Sequence, residues 1–197
     1  MIICLNGTSS SGKTSVAKCL QELMGGYPLN FSIDHILYAL PESALQKMIK
    51  GQENKELKYQ TLEEGFYSCV RSLAGLGHDL IIDNSITSSV SARMLVEYLD
   101  HHDVVMVGIH CGIDELKRRE SVRRDRTVGL AESQIAKVHL YCQYDLILDS
   151  TKNSVEGLAK TCLSFIKSDH ARTGLSKTKA LMMSHSNPTN NSVTGRN

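Results

Sequence analysis

Residues 1–20 read MIICLNGTSSSGKTSVAKCL, and this short stretch contains three successive patterns. An apolar run comes first and is typical of a strand buried on both faces of a parallel sheet. Two glycines with four hydroxyl residues between them follow, and a stretch with helical periodicity begins near Lys13. The spacing G-x-x-x-x-G-K-[ST], placed between a strand and a helix, predicts a loop whose backbone N–H groups surround phosphate oxygens.

Each residue type in this loop suits that task. The glycines allow the backbone to curl toward an anion, and the helix that follows adds the partial positive charge of its N-terminus. We expect Lys13 to reach the β- and γ-phosphates of ATP and the Thr14 hydroxyl to ligate Mg²⁺. The predicted nucleotide-binding residues of the loop are Gly7, Thr8, Ser9, Ser10, Ser11, Gly12, Lys13 and Thr14.

Short apolar runs alternate with longer amphipathic segments along the chain. This alternation predicts an α/β fold of the P-loop NTPase/kinase type, with a five-stranded parallel sheet and helices on both faces. The helical segments include one predicted over 35–49, one over 113–125 and one over 131–141. The predicted strands are IICLN (2–6), LNFSI (29–33), DLIID (79–83), VVMVGIHC (104–111) and YDLILD (144–149).

The kind of nucleotide chemistry is narrowed by what the sequence lacks. A GTPase needs an N-K-x-D element to read guanine, and no such element occurs among the 197 residues. A motor or large ATPase needs a longer chain. A small kinase is the remaining class, and it needs a carboxylate that activates the acceptor, a carboxylate near the metal and a cationic lid.

Two aspartates at strand ends are candidates for the carboxylates. Asp34 follows the second predicted strand, at the edge of the sheet where ligands bind, and is predicted to take the proton of an acceptor hydroxyl. A helix N-cap is the alternative for Asp34, and the two roles are compatible. Asp83 ends the third predicted strand and is predicted to hold Mg²⁺; alternatively, it contacts the acceptor or caps the turn.

The segment ELKRRESVRRDRTVG (115–129) is a candidate for the lid, because five arginines fall within nine residues. On a helix, Arg119, Arg123 and Arg126 share one face and could close over the triphosphate, with Arg126 acting in catalysis and the other two in nucleotide binding. A solvated helix with Arg–Glu and Arg–Asp pairs is the alternative. No aromatic residues interleave with the arginines, which disfavours nucleic-acid binding.

The formal net charge is +1, and no apolar run approaches the length of a membrane span. The six cysteines are scattered, as in reduced proteins, and no signal-peptide pattern precedes the first strand, so we expect a cytoplasmic protein. Residues 1–168 are predicted to form the kinase domain. Residues 169–197 are rich in Ser, Thr, Asn and Lys and predict a polar, disordered C-terminal tail, in which LSKTKALMM (175–183) could form a short helix.

The chain resembles chloramphenicol phosphotransferase and its relatives among small P-loop kinases over residues 1–168. The resemblance rests on IICLNGTSSSGKTS, SIDHI, LIIDNS and, above all, the run from 107 to 151. It implies the roles given above to the loop, to Asp34 and Asp83, and to Arg119, Arg123 and Arg126. The sequence departs from the family at Asn84, where the antibiotic kinase has a second acid, and between 44 and 58.

The resemblance implies transfer of the ATP γ-phosphate, with Mg²⁺, to a primary hydroxyl of chloramphenicol or a related small molecule, an activity connected with antibiotic resistance. Two other interpretations stay open. A P-loop kinase of this kind could act on another metabolite, such as a sugar or nucleotide-sugar. A nucleotide-binding regulatory module without turnover is the interpretation from a different class.

Overall fold

A parallel β-sheet with the strand order β2-β3-β1-β4-β5 forms the centre of the computed structural model, which describes residues 1–50, 52, 58–122 and 129–184. The predicted α/β class and the five-stranded parallel sheet are confirmed. The strands are β1 (Ile2–Gly7), β2 (Leu29–Ser32), β3 (Leu80–Asn84), β4 (Val104–His110) and β5 (Leu146–Asp149). The helices are α1 (Lys13–Met24), α2 (Ile33–Leu37), α3 (Glu42–Ile49), α4 (Tyr59–Gly75), α5 (Ser89–Leu99), α6 (Ile113–Ser121), α7 (Leu130–Ile135), α8 (Val155–Ile166) and α9 (Gly174–Ser184).

Successive residues of β1 contact different cores, because side chains alternate across a strand. Ile2 and Cys4 pack with α4, α5 and α9 on one face, whereas Ile3 and Leu5 pack with α1 and α8 on the other. All four side chains are buried, which accounts for the nearly continuous apolar run in the sequence. The helices therefore cover both faces of the sheet, as predicted.

Three predicted helices have different bounds in the structure. The helix predicted over 35–49 is two helices, α2 and α3, since Pro41 cannot donate a backbone hydrogen bond and disfavours helical backbone at the residue before it. Helix α7 ends at Ile135, and turns follow it. Helix α6 ends at Ser121, and residues 123–128 of the predicted lid lie outside the described residues. None of the helices described is long and apolar enough to cross a membrane.

The prediction of a disordered tail is wrong for residues 169–184, because 174–184 form α9, which packs against α5 and β4. Asp145 fixes the start of this helix: its Oδ1 accepts hydrogen bonds from the backbone of Thr173 (2.6 Å) and Gly174 (2.7 Å). Leu175 and Met182 are buried in the core. The composition alone favours disorder, because the segment is polar. Its few apolar side chains are buried only by contacts with elements that are distant in the sequence. Residues 185–197 lie outside the described residues.

Removing residues 169–197 should therefore lower the melting temperature (Tm) by about 10 °C. Burial of Leu175 and Met182 contributes about 1.5–3 kcal/mol each, and about 1 kcal/mol shifts Tm by roughly 2–4 °C in a chain of this size. Thermal unfolding followed by circular dichroism checks this. Lys177→Ala, at an exposed position on the same helix, is the control and should leave Tm unchanged. A truncated chain with a Tm within 2 °C of the full chain would contradict the prediction.

Candidate active site

The loop between β1 and α1 has a backbone that requires glycine at two positions. A Cβ on Gly7 would lie 2.5 Å from the backbone oxygen of Ile109 in β4, so no side chain fits there. Gly12 has φ +93°, a left-handed conformation that glycine adopts without strain. Between them, Ser10 also has positive φ, at 62°. The loop thus curls back over the end of the sheet, as the sequence motif predicts.

Lys13 and Thr14, at the start of α1, meet Asp83 from the end of β3. The Lys13 Nζ donates to the backbone oxygen of Thr8 at 2.8 Å and lies 3.8 Å from Asp83 Oδ1. The Thr14 hydroxyl donates to Asp83 Oδ2 in a short hydrogen bond. The register of β1 with β3 pairs Leu5 with Asp83, which brings the carboxylate to the base of the loop. Two predicted metal ligands are therefore in direct contact.

Two hydroxyl groups of the loop fit an anion. The Oγ atoms of Ser10 and Ser11 are buried and have no hydrogen-bond partner among the described residues. Buried hydroxyl groups without partners are unfavourable, and phosphate oxygens would supply acceptors for them. The backbone N–H of Ser9 donates to Gln134 Oε1 of α7 at 2.7 Å. Gln134, which no sequence motif singles out, thus links α7 to the loop.

Arg119 of α6 contacts the same loop. Its Nη1 donates to the backbone oxygen of Ser11 at 3.3 Å, and its Nη2 donates to the backbone oxygen of Ser150 at 2.6 Å. Glu115 accepts from Arg118 and Arg119 together, and these hydrogen bonds lower the pKa of Glu115 to about 2. The guanidinium of Arg119 therefore lies beside the loop. Arg123 and Arg126, the other two predicted lid residues, lie outside the described residues.

Asp34 lies in the first turn of α2, two residues after the end of β2. Ser32 is the N-cap of this helix, with His35 completing a reciprocal capping arrangement, so Asp34 is not the N-cap. Its side chain lines a cleft of about 870 Å³ that is also lined by Lys13, Thr14, Asp83 and Arg119. Residues from α2, α1, β3 and α6 are thus brought to a single cavity, although they are far apart in the sequence.

Other polar residues of this cleft were not predicted as site residues. Glu63 of α4 and Ser91 of α5 line it, and so does Asn84, whose Nδ2 donates to the buried Tyr67 hydroxyl at 2.6 Å. A sequence signal for Glu63 does exist. It falls on the same helical face as Phe66, Tyr67 and Val70, which are fully buried, and a carboxylate on a buried face is rare unless it has a partner or a ligand.

A partly buried polar network begins at Asn6, the residue that precedes the loop. Asn6 of β1 donates to the Tyr144 hydroxyl at 2.7 Å, and that hydroxyl lies 2.7 Å from Nδ1 of His139. His110 stacks on His139 with ring centroids 3.8 Å apart. Burial, His110 and Lys13 together lower the pKa of His139 to about 4, and burial lowers the pKa of His110. Both rings are therefore neutral at pH 7, and Nδ1 of His139 can accept from Tyr144.

Lowering the pH should destabilise the fold through the stacked rings of His110 and His139. The unfolded chain binds the proton of His139 near pH 6.5, whereas the folded chain binds it only near pH 4. The free energy of unfolding should therefore fall as the pH is lowered from about 6.5 to 4, because the unfolded state takes up more protons. Urea unfolding across this range checks the prediction. His139→Gln should flatten the dependence, while exposed His101→Gln should not; equal slopes for all three proteins would contradict it.

Residues 1–167 match the family model of the chloramphenicol phosphotransferase-like proteins. The chain belongs to this family. The match covers the described elements from β1 to α8 and ends before α9. The resemblance seen in the sequence is therefore confirmed, and α9 lies outside the part of the chain that the family shares.

A relative from Mycobacterium tuberculosis (strain H37Rv) bears the provisional name of O-phosphotransferase Rv2636. The two proteins are 29% identical over an alignment of 177 positions, and the match covers 81% of this chain and 79% of the relative. Among solved structures, an unliganded sugar kinase from Janibacter has a TM-score of 0.68 at 20% identity, over 84% of this chain and 93% of that one. The Mycobacterium tuberculosis APS kinase in complex with AMPPNP and APS has a TM-score of 0.59 at 14% identity, over 85% and 97%. This chain therefore has the fold of the P-loop kinases.

Proposed function

We propose that the protein is an ATP- and Mg²⁺-dependent O-phosphotransferase of the cytoplasm that phosphorylates a primary hydroxyl of chloramphenicol or a related small molecule. The observation that carries this proposal is the single cleft lined by the phosphate-binding loop and by Asp34. A loop of this kind binds a triphosphate, and a kinase also needs a carboxylate that takes the proton of the acceptor hydroxyl.

The triphosphate is assigned to the loop from Gly7 to Thr14. The unpartnered Ser10 and Ser11 hydroxyls, the N-terminus of α1 and the Lys13 ammonium all favour an anion there. Arg119, held beside the loop by Ser11 and Ser150, adds positive charge near the phosphates. The predicted roles of Arg123 in nucleotide binding and of Arg126 in catalysis remain part of the proposal.

Thr14 and Asp83 fit a magnesium ion, since a hydroxyl and a carboxylate in direct contact are the oxygen donors that Mg²⁺ prefers. When bound, the ion would neutralise charge on the phosphate oxygens. The 3.8 Å separation between Lys13 Nζ and Asp83 Oδ1 keeps the ammonium close to these ligands. Lys13 and Asp83 are thereby oriented together at the base of the loop.

In the proposed reaction, the Asp34 carboxylate takes the proton of the acceptor hydroxyl. The hydroxyl oxygen forms a bond to the γ-phosphorus as the bond from that phosphorus to the β–γ bridging oxygen breaks, and ADP leaves. Lys13 and the lid arginines stabilise the negative charge that moves onto the leaving oxygens. Proton removal by a positioned carboxylate contributes roughly 10²–10⁴-fold to such a rate.

An ATP-consumption assay with Mg²⁺, with and without chloramphenicol, tests the proposal when the acceptor is analysed by mass spectrometry. We expect ADP to form faster with chloramphenicol and the antibiotic to gain one phosphoryl group. Nucleotide binding without phosphorylated chloramphenicol would overturn the assigned acceptor and direct the search to other hydroxyl compounds, such as sugars. ATP binding with no turnover on any acceptor would favour the regulatory module.

A further inference from the structure

The strand order divides the cleft into two ends. Residues that follow β2 and β3 lie on one side of the loop after β1, and residues that follow β4 and β5 lie on the other. Arg118 and Arg119 come from the β4 side, so the side of β2 and β3 is the end available to the acceptor. The described residues that line this acceptor end include Asp34, Tyr38, Tyr59, Glu63, Asn84 and Ser91.

Glu63 is a built-in carboxylate of the acceptor end. It is 9% exposed and lies on the inner face of α4, where Phe66 and Tyr67 are fully buried. Its Oε2 accepts a hydrogen bond from the Ser91 hydroxyl at 3.0 Å. Ser91 is itself fixed, because its backbone N–H donates to the Oγ of Ser88, the N-cap of α5. The position of this carboxylate is therefore held by two helices.

The other oxygen of Glu63 is available to a ligand. Within the described part of the chain, Oε1 has no hydrogen-bond partner, and the residue lines the cleft. Burial raises the pKa of Glu63, and the hydrogen bond from Ser91 acts in the opposite direction. A buried carboxylate with one hydrogen bond gains stability from every further donor it receives. A hydroxyl or N–H group of a bound acceptor could donate this further hydrogen bond to Oε1.

The charges of this end also discriminate between acceptors. Asp34 and Glu63 both line it, and the described residues after β2 and β3 that line the cleft include no lysine or arginine. Lys13, the nearest cation in the loop, lies beside Asp83. An acceptor that carries a carboxylate or phosphate would lie near these two carboxylates, which is unfavourable in a partly desolvated cleft.

We propose that Glu63 is an acceptor-binding residue that accepts a hydrogen bond from a second donor group, a hydroxyl or amide N–H, of an uncharged acceptor. With Asp34 it disfavours acceptors that carry a carboxylate or phosphate. Asp34 takes the proton of the reacting hydroxyl, and Glu63 holds the rest of the molecule. This inference rests on the proposed function and adds to it the class of acceptor and the residue that selects it.

Steady-state kinetics on matched acceptors test the inference. The uncharged probes are chloramphenicol, sorbitol and N-acetylglucosamine, and the carboxylate-bearing counterparts of the last two are gluconate and N-acetylmuramate. Wild-type protein should use uncharged acceptors with at least about tenfold higher kcat/KM. Glu63→Gln should raise the KM for a used acceptor by about tenfold, as expected for loss of a hydrogen bond to a charged group, with kcat changed less than about threefold.

Two further variants separate acceptor binding from a structural role. Glu64→Gln alters the next residue of α4, which bonds Gln60 and does not line the cleft, and should leave KM unchanged. Ser91→Ala removes the same helix–helix hydrogen bond that Glu63→Gln weakens but leaves the Glu63 carboxylate in place. If Glu63 only joins α4 to α5, the two variants should have equal KM values and equal losses of Tm; a larger KM in Glu63→Gln supports acceptor binding.

An unchanged KM in folded Glu63→Gln would overturn the inference while wild-type turnover leaves the proposed function intact. Equal use of each carboxylate-bearing compound and its uncharged counterpart by the wild type would overturn it without any variant. If the wild type binds ATP and phosphorylates none of the uncharged probes, the proposed function fails, and the acceptor class inferred from Glu63 fails with it. The results are distinguishable because failure of the proposed function is seen in the wild type, which then phosphorylates no probe, whereas failure of the inference alone leaves wild-type turnover intact.

Discussion

Lys13→Ala should lower kcat/KM for ATP by at least about 10³-fold, the largest effect expected for a single substitution in this protein. The ammonium is buried at the base of the loop, where its Nζ contacts the backbone of Thr8 and lies near Asp83. Removing it deletes a positive charge from the proposed triphosphate site. The negative charge of Asp83 is then less compensated near the negative phosphates. Calorimetry measures the loss of ATP binding, and a coupled assay of ADP formation measures the loss of turnover.

The matched control for this substitution is Lys18→Ala, on the exposed face of the same helix. It removes an equal charge from α1 without changing the cleft, so ATP binding and turnover should remain at wild-type values. Circular dichroism of Lys13→Ala verifies that the variant is folded before its kinetics are interpreted. Wild-type activity in folded Lys13→Ala would show that the loop from Gly7 to Thr14 does not serve as the triphosphate site.

Asp34→Asn should lower kcat with chloramphenicol by roughly 10²–10⁴-fold while ATP affinity stays near the wild-type value. The amide has the size and shape of the carboxylate but cannot take the proton of the acceptor hydroxyl. Because Ser32 rather than Asp34 is the N-cap of α2, the substitution should change Tm little. Single-turnover measurement of phosphoryl transfer separates this effect on chemistry from effects on binding.

Glu42→Gln is a suitable control for Asp34→Asn, since Glu42 is exposed at the start of α3 and bonds only Gln46 among the described residues. Its kcat should match that of the wild type. The pair therefore distinguishes loss of a carboxylate in the cleft from loss of a negative charge nearby. An unchanged kcat in Asp34→Asn would show that Asp34 has only a structural role in α2. Another group would then take the proton of the acceptor hydroxyl.

Much of the fold follows from local sequence patterns. Each strand of the sheet coincides with a short run predicted from the sequence, and every predicted strand bound lies within two residues of the observed one. The loop from Gly7 to Thr14 could be predicted for the same reason, because its glycines, Lys13 and Thr14 are neighbours in sequence. The break between α2 and α3 was also signalled locally by Pro41, although the prediction of one helix overlooked it.

Other features depend on contacts between distant segments. The polar composition of 169–184 favours disorder when considered alone, yet Asp145 and the buried positions on α5 and β4 order it as α9. Glu63 could be recognised as unusual on an apolar helical face, but its partner Ser91 lies on another helix. No spacing rule in a single sequence relates such residues, because parallel strand order and helix packing bring them together.

The sequence by itself determined the strands, the phosphate-binding loop and the family resemblance, since these arise from residues close together in the chain. Only the tertiary structure decided that Asp83 meets Lys13 and Thr14, that Asp34 and Glu63 line the same cleft, and that α9 packs on the domain. The physical reason is that burial and hydrogen bonding act between groups close in space. The order β2-β3-β1-β4-β5 determines which strand ends become neighbours.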